Sequence, residues 1–265
     1  MTPSVPSTPV PATPVPPIPV PPILVGVGVG PGDPELVTVK AVRILRTADV
    51  ILVPSTETSG DDPGRAEQIV ATACPEAAER IRRIPFRMGR RHGVGPERRD
   101  AWETSARAAE EAYAAGATTV AFATVGDPSV YSTFSYLAAH IRATVPGLVV
   151  QVIPGITAMQ ALAATSLTPL VEGRERLTLL SVTDGLDTVA EALDHADTVV
   201  AYKGGRRLAD LLGLIREQGG TGVLGIDVGL PAETVIPLEQ VDADRAPYFS
   251  TVIVTPRRGE TGGRL

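Results

Sequence analysis

The chain has 265 residues, of which 43% are hydrophobic, so it is long enough for one large domain or two modest α/β domains. Its formal net charge of −6 argues against a general nucleic-acid-binding protein, which is usually basic. A single cysteine, Cys74, allows no disulfide within the chain and is typical of a reducing, cytoplasmic environment. The three histidines are not in a metal-ligand spacing, so we expect no metal site.

Residues 1–22 carry proline at every second or third position. This stretch has neither a basic segment nor an uninterrupted apolar run, so it predicts neither a signal peptide nor a membrane span. Proline fixes φ and removes a backbone donor, and we therefore expect an extended, disordered tail. A proline-rich docking segment is the alternative interpretation.

Patterns typical of buried strands alternate with helical patterns between residues 23 and 168, which we predict to form an N-terminal α/β domain. Five strands are predicted there, at residues 23–29, 50–54, 81–86, 118–124 and 148–154. Four helices are predicted between them, at residues 39–48, about 65–73, 96–115 and 131–144.

A second set of smaller units covers residues 169–257, which we predict to be a C-terminal α/β domain. Its predicted strands are RLTLLSV, DTVVAYK, GVLGIDV and YFSTVIVTP, and its predicted helices are GLDTVAEALDHA and RRLADLLGLIREQG. The boundary is predicted near residues 166–172, where TPLVEG interrupts the alternation, and residues 258–265 are predicted to be a frayed tail.

The stretch GVGVGPGDPE at residues 26–35 follows the first predicted strand. Because strand side chains alternate between faces, Gly26 and Gly28 share a face where a flat ligand or another backbone can approach. A dinucleotide-binding fingerprint has glycine at i, i+2 and i+5, but the third position here is Pro31 or Asp33. The spacing therefore disfavours a nicotinamide site. The alternative to any ligand site is that the glycines allow close packing of the chain and a tight turn before the helix.

Three further turns follow predicted strands: VGDPSVYSTF, PGITAMQALAA and YKGGRR. In an open α/β sheet, ligands bind beyond the carboxyl ends of the strands. Each turn alone is ordinary punctuation between elements, but together the turns favour one binding cleft.

These motifs resemble those of the tetrapyrrole methyltransferases, and the resemblance extends over about residues 23–256. It implies two α/β domains with S-adenosylmethionine folded in the cleft between them, and a homodimer. Within this family, the resemblance is to the enzymes of cobalamin synthesis that methylate C20 of precorrin-2. Three stretches carry it: VGDPSVYSTFSYL, PLVEGRERL and PYFSTVIV. The same chemistry on the cobalt form, cobalt-factor II, is the first alternative.

The resemblance also implies the residues that hold the cofactor: Pro31, Gly126, Asp127, Val130, Tyr131, Ser132, Thr133, Thr157, Ala158, Tyr202, Lys203, Gly229 and Leu230. Asp127 can pair with the ammonium of the methyl donor, while backbone N–H groups around Gly155 and Thr157 can take its carboxylate. Asp127 before proline could equally cap a turn or the following helix.

Two residues are candidates to accept the proton that leaves C20 or to position the ring, namely Asp33 and Tyr131. Asp33 could instead cap the turn before the first helix, and Tyr131 could be a packed aromatic residue. The sequence leaves both alternatives open.

A basic segment offers partners for the carboxylates of a tetrapyrrole. Residues 80–99 contain eight arginines and a single acid, Glu97, so the segment is strongly positive. Arginine suits bidentate pairing with carboxylates, and we expect Arg87, Arg90 and Arg91 to bind the substrate. A solvated basic loop is the alternative.

Two other classes of function remain as alternatives. One is a nicotinamide-linked oxidoreductase, which the glycine spacing disfavours. The other is a non-catalytic nucleotide-binding module, which would release no S-adenosylhomocysteine in the presence of a tetrapyrrole.

Overall fold

The computed structural model describes residues 20–55, 62–85, 96–242 and 245–258. Within these residues the chain forms two five-stranded β-sheets with helices packed against them, so the predicted α/β class with two sheet units is confirmed. The predictions for the two tails fall almost entirely outside the described residues. None of the described helices is long and apolar enough to cross a membrane.

The N-terminal sheet is parallel throughout and has the strand order β3-β2-β4-β1-β5. Near-continuous apolar runs form its central strands because both faces are covered by helices. The strands are β1 (Ile23–Gly28), β2 (Val50–Ser55), β3 (Ile81–Pro85), β4 (Thr119–Thr124) and β5 (Val149–Ile153). The helices are α1 (Val39–Thr47), α2 (Arg65–Ala73), α3 (Pro96–Ala114) and α4 (Phe134–Thr144).

The predicted elements of this half are present with small shifts at their ends. Helix α4 begins three residues later than the predicted range 131–144. Tyr131 has a φ of 50°, which is incompatible with a right-handed helix, and Ser132 Oγ accepts a hydrogen bond from the backbone N–H of Phe134. The loop therefore continues to Thr133 before the helix starts.

The C-terminal sheet is mixed and has the order β6-β7-β10-β8-β9, in which β6 and β7 are parallel and the other neighbours are antiparallel. Its strands are β6 (Leu177–Ser181), β7 (Thr198–Tyr202), β8 (Thr221–Ile226), β9 (Thr234–Pro237) and β10 (Ser250–Thr255). Two helices, α6 (Asp187–His195) and α7 (Leu208–Glu217), cover one face. Strand β9 was not predicted from the sequence.

Helix α5 (Ala158–Thr165) was also not predicted, and it lies between the two sheets in the chain. It packs against the C-terminal sheet, where the fully buried Leu162 joins Val200 and Ile253 in one apolar cluster. A Cβ atom on Gly225 of β8 would lie 2.7 Å from the Leu162 side chain, so this glycine makes room for α5. The domain boundary near residues 166–172 stays a prediction.

Candidate functional site

A cleft of about 490 Å³ lies where the carboxyl ends of the N-terminal strands meet the C-terminal sheet. Its size is within the usual range for small-molecule sites. Most of the cofactor residues implied by the sequence line it together: Pro31, Gly126, Asp127, Val130, Tyr131, Ser132, Thr133, Thr157, Ala158, Tyr202 and Lys203. Residues from four separate strand ends, those of β1, β4, β5 and β7, therefore converge on one space, as the strand-end turns predict.

Three predicted residues lie elsewhere. Asp33, Gly229 and Leu230 line a separate cavity beside α5. From the loop DVGLPAE it is Val228 that reaches the main cleft. The three predicted substrate residues, Arg87, Arg90 and Arg91, lie outside the described residues.

Asp33 acts as a cap in this structure. Its Oδ1 atom accepts a hydrogen bond of 2.8 Å from the backbone N–H of Glu35, at the start of the 3-10 helix Pro34–Leu36. The alternative that the sequence left open, a turn cap rather than a group in the main cleft, is the arrangement observed.

The glycine face of β1 is filled by the protein itself rather than left open for a ligand. A Cβ atom on Gly26 would lie 2.6 Å from the ring of Phe134. On Gly28 it would lie 2.6 Å from both the carbonyl oxygen of Gly126 and the backbone nitrogen of Gly155. Gly28 thus lets the loops after β4 and β5 approach the backbone of β1, while Gly26 makes room for the Phe134 ring. Of the two interpretations that the sequence left open, close packing of the protein itself is the one observed.

Asp127 joins two of these loops. Its Oδ1 atom accepts a hydrogen bond of 2.7 Å from the backbone N–H of Ser129, and its Oδ2 atom accepts one of 2.9 Å from that of Gly155. The residue is only 9% exposed, so these bonds satisfy a nearly buried carboxylate at the wall of the cleft. Asp127 therefore fixes the relative position of the loops after β4 and β5.

The backbone N–H groups expected to receive an anion are already used. That of Gly155 donates to Asp127, and that of Thr157 donates to the side-chain oxygen of Gln160 at 2.9 Å. The Thr157 hydroxyl in turn accepts from the Gln160 N–H, which completes a capping box at the start of α5. The sequence pattern Thr-x-x-Gln is the signal that could have revealed this cap.

Aromatic side chains form one side of the cleft. The rings of Tyr131 and Tyr202 meet edge to face at a centroid distance of 5.9 Å, and Lys203 Nζ lies 5.3 Å from the Tyr131 centroid. The Tyr202 hydroxyl accepts a hydrogen bond of 3.0 Å from the N–H of Met159. Burial raises the pKa of Tyr202, against the opposing effect of the hydrogen bonds from Met159 and Thr157, so this phenol is neutral at pH 7.

Arg65 is a residue of the cleft that the sequence did not single out. It is the first residue of α2, where the helix dipole disfavours a cation, and this placement is the signal that could have marked it. Its guanidinium carbon lies 3.6 Å from the ring centroid of Phe249, and its Nη2 atom donates to Asp227 Oδ1. Arg65 thus connects the N-terminal sheet unit to two segments of the C-terminal one.

The start of β10 and the two residues before it also reach the cleft, which is lined there by Tyr248, Phe249, Ser250 and Thr251. This segment is part of PYFSTVIV, one of the motifs that carry the resemblance to the C20 branch. The motif is therefore next to the loops after β4 and β5 in space, although Tyr248 is 90 positions beyond Ala158 in the chain.

Comparison with known proteins agrees with this geometry. The family model of the tetrapyrrole (corrin/porphyrin) methylases matches residues 23–242. The chain belongs to this family.

Among curated relatives, the cobalt-precorrin-2 C(20)-methyltransferase of Salmonella typhimurium is 32% identical, over 87% of this chain and 95% of its own length. A precorrin-2 C(20)-methyltransferase of Sinorhizobium is also 32% identical, over 87% of this chain and 94% of its own length. The fold is similar to that of a Thermus thermophilus uroporphyrin-III C-methyltransferase complexed with S-adenyl homocysteine, with a TM-score of 0.60, 22% identity and coverage of 88% and 91% of the two chains.

Proposed function

We propose that the protein transfers a methyl group from S-adenosylmethionine to C20 of precorrin-2 in cobalamin biosynthesis, with release of S-adenosylhomocysteine. The observation that carries this proposal is the pair of C20-methyltransferases that match the chain at 32% identity along nearly their whole length. Cobalt-precorrin-2 is the alternative substrate, because the relatives that act on the two forms are equally similar.

The main cleft has properties that suit this cofactor. A Cβ atom added to Gly126, whose φ is 72°, would meet no other atom closer than 3.9 Å, so bare backbone faces open space at the cleft wall. When bound, S-adenosylmethionine supplies a methyl group on a positively charged sulfur. Aromatic faces such as that of Tyr131 attract a cation, and the carboxylate of Asp127 lies at the same wall.

Asp127 is the proposed partner of the cofactor's ammonium. Each of its oxygens accepts one backbone hydrogen bond and retains a second lone pair, so the carboxylate can still accept from an ammonium. The two backbone bonds hold its oxygens in place before the cofactor arrives. The carboxylate of the cofactor requires donors other than Gly155 and Thr157, whose N–H groups are used.

Methyl transfer in this site depends mainly on orientation. The bond from sulfur to the methyl carbon breaks while the bond to C20 forms, and the sulfur leaves as a neutral thioether, so the reacting groups need little acid or base assistance. Well-oriented reactants gain roughly 7–11 kcal/mol over free encounter. The loops that Asp127 joins are the part of this chain that fixes such an orientation.

The proton that leaves C20 needs an acceptor. Of the two candidates, Tyr131 lines the cleft, whereas Asp33 caps a turn beside the other cavity. We therefore favour Tyr131 as the residue that contacts the macrocycle, with Arg87, Arg90 and Arg91 as further substrate residues. We keep the homodimer and the cytoplasmic location as predictions, and light scattering of the purified protein tests the first.

The deciding experiment is anaerobic incubation with S-adenosylmethionine and either metal-free precorrin-2 or its cobalt form. We expect the mass of one methyl group to be added and NMR to locate it at C20. Comparison of kcat/KM for the two forms selects the substrate. Absence of turnover with both would contradict the proposal, and tight binding of NAD(H) would instead favour an oxidoreductase.

A further inference from the structure

Arg65 is held in an unusual position for a cation. Its side chain is only 13% exposed, it lines the main cleft, and its guanidinium carbon lies over the Phe249 ring, 3.6 Å from the ring centroid. Asp227, its ion-pair partner, has a φ of 50° and donates its backbone N–H to the carbonyl of Phe249 at 3.0 Å. Arg65, Asp227 and Phe249 therefore form a closed set of contacts that fixes the guanidinium.

The guanidinium still has donors to offer. It carries five N–H groups, and in the part of the chain that the structure describes its hydrogen bond runs from Nη2 to Asp227 alone. A second carboxylate can take two parallel hydrogen bonds from another edge of the same planar group. Because stacking on Phe249 already restricts this side chain, little rotamer entropy would be lost on binding.

The location of Arg65 indicates which carboxylate it would bind. Together with Pro54 and Gly64 it forms the part of the cleft at the carboxyl end of β2, whereas most of the proposed cofactor residues follow β4 and β5. The other neighbour of β2 is β3, which ends at Pro85, and the predicted substrate arginines come next in the chain. The β2 side of the cleft is therefore the side on which the sequence predicts the macrocycle.

We propose that Arg65, oriented by Asp227 and Phe249, anchors one peripheral carboxylate of the tetrapyrrole. The inference rests on the proposed function, since it names a contact of the same substrate. It makes Arg65 a substrate-binding and positioning residue rather than only a link between the two sheet units.

The test compares Arg65→Gln and Arg65→Lys with the unaltered protein. Loss of a charge-assisted pair should raise KM for precorrin-2 about 10- to 100-fold in Arg65→Gln. Arg65→Lys, which keeps the charge but loses the planar fork, should have an intermediate KM. The Kd for S-adenosylmethionine should stay within about twofold in both variants, because the proposed cofactor residues are untouched.

Arg207→Gln is the matched control, because Arg207 also pairs with an aspartate, Asp210, but on the protein surface. Its KM for precorrin-2 should not change. The double variant Arg65→Asp with Asp227→Arg exchanges the two charges of the ion pair. If Arg65 only links the two sheet units, the exchanged pair should restore the KM for precorrin-2. If Arg65 binds the substrate carboxylate, the KM should stay raised. Recovery of KM in the exchanged protein would overturn the proposal, as would an unchanged KM in a folded Arg65→Lys.

Binding of the macrocycle without the methyl donor distinguishes this inference from the proposed function. If the unaltered protein binds precorrin-2 but does not methylate it, the proposed function fails while a raised Kd in Arg65→Gln still supports the anchor. If methyl transfer occurs and both Arg65 variants bind the macrocycle normally, the function holds and the anchor is wrong.

Discussion

The Oδ2 atom of Asp127 accepts the backbone N–H of Gly155 at 2.9 Å, across 28 positions of the chain. One carboxylate thereby joins the loops that follow β4 and β5. Because β1 lies between these two strands, the bond crosses directly in front of the end of β1. The Asp127 side chain therefore adds to the backbone contacts of Gly28 and Gly30 that hold this part of the cleft wall together.

Replacement of Asp127 by asparagine should damage both the loop arrangement and cofactor binding. An amide cannot accept with both of its terminal atoms, so either Ser129 or Gly155 loses its acceptor in a nearly buried place. We expect a loss of about 1–3 kcal/mol in the free energy of unfolding and a cofactor Kd raised at least about tenfold. Urea unfolding and calorimetric titration measure the two effects. Wild-type affinity in the variant would contradict the assigned role.

Asp33 serves as the comparison, since it caps a turn and lies outside the main cleft. Asp33→Ala should cost about 0.5–2 kcal/mol of stability through the lost cap. Its single-turnover rate of methyl transfer should remain close to that of the unaltered protein. A fall of about 100-fold or more in that rate, with normal folding, would identify Asp33 as a catalytic residue instead.

Two glycine-to-alanine substitutions should have opposite effects on stability, because one glycine is needed for close backbone packing and the other is not. A Cβ atom on Gly155 would lie 2.2 Å from the carbonyl oxygen of Gly126, so Gly155→Ala should be among the strongly destabilising changes, by about 3 kcal/mol or more. A Cβ atom on Gly213, in the middle of α7, would meet nothing within 4 Å. Gly213→Ala should therefore stabilise the protein by about 0.5–1 kcal/mol. Thermal unfolding of both variants tests the pair, and equal effects would be incompatible with this packing.

Asp49 should contribute to the acid sensitivity of the fold. The backbone N–H of Thr119 is the main cause that lowers the pKa of Asp49 below its ordinary value, opposed by burial and aided by the bonds from Thr118. A carboxylate with a lowered pKa in the folded state stabilises the protein above its unfolded pKa, and this stabilisation is lost as the pH falls through the folded pKa.

Asp49→Asn should accordingly reduce the urea midpoint at neutral pH, and the difference from the unaltered protein should shrink below about pH 4. Measurement of the midpoint across this interval tests the sign. A difference that grows on acidification would show that the charge of Asp49 does not stabilise the fold.

The sequence predicted the strands of the N-terminal sheet well because β1, β2 and β4 are continuous apolar runs buried on both faces. It missed β9, a strand of four residues at the edge of the second sheet, and α5, whose apolar residues face a sheet distant in sequence. Neither the partner of an edge strand nor the packing of a short helix is contained in the local pattern.

The candidate site was predictable to the level of loops but not of individual donors and acceptors. The motif positions predicted that the loops after β1, β4 and β5 line the cleft. They did not predict that Val228, rather than Gly229, lines it. Nor could they reveal that Asp127 takes the N–H of Gly155, or that Arg65 pairs with Asp227 across 162 positions. Such contacts depend on how the two sheets meet in space.

The attachment of α5 to the C-terminal sheet has a consequence for exchanging parts between relatives. Leu162 and its neighbours need the surface that Gly225 leaves open, so α5 and that sheet must match each other. A chimaera joined near Pro154 would inherit α5 together with its packing partner, whereas one joined after Thr168 would combine surfaces from two different proteins. The transferable unit therefore starts ahead of the loop that carries Thr157 and Ala158, and a graft of the second half also brings part of the wall of the main cleft.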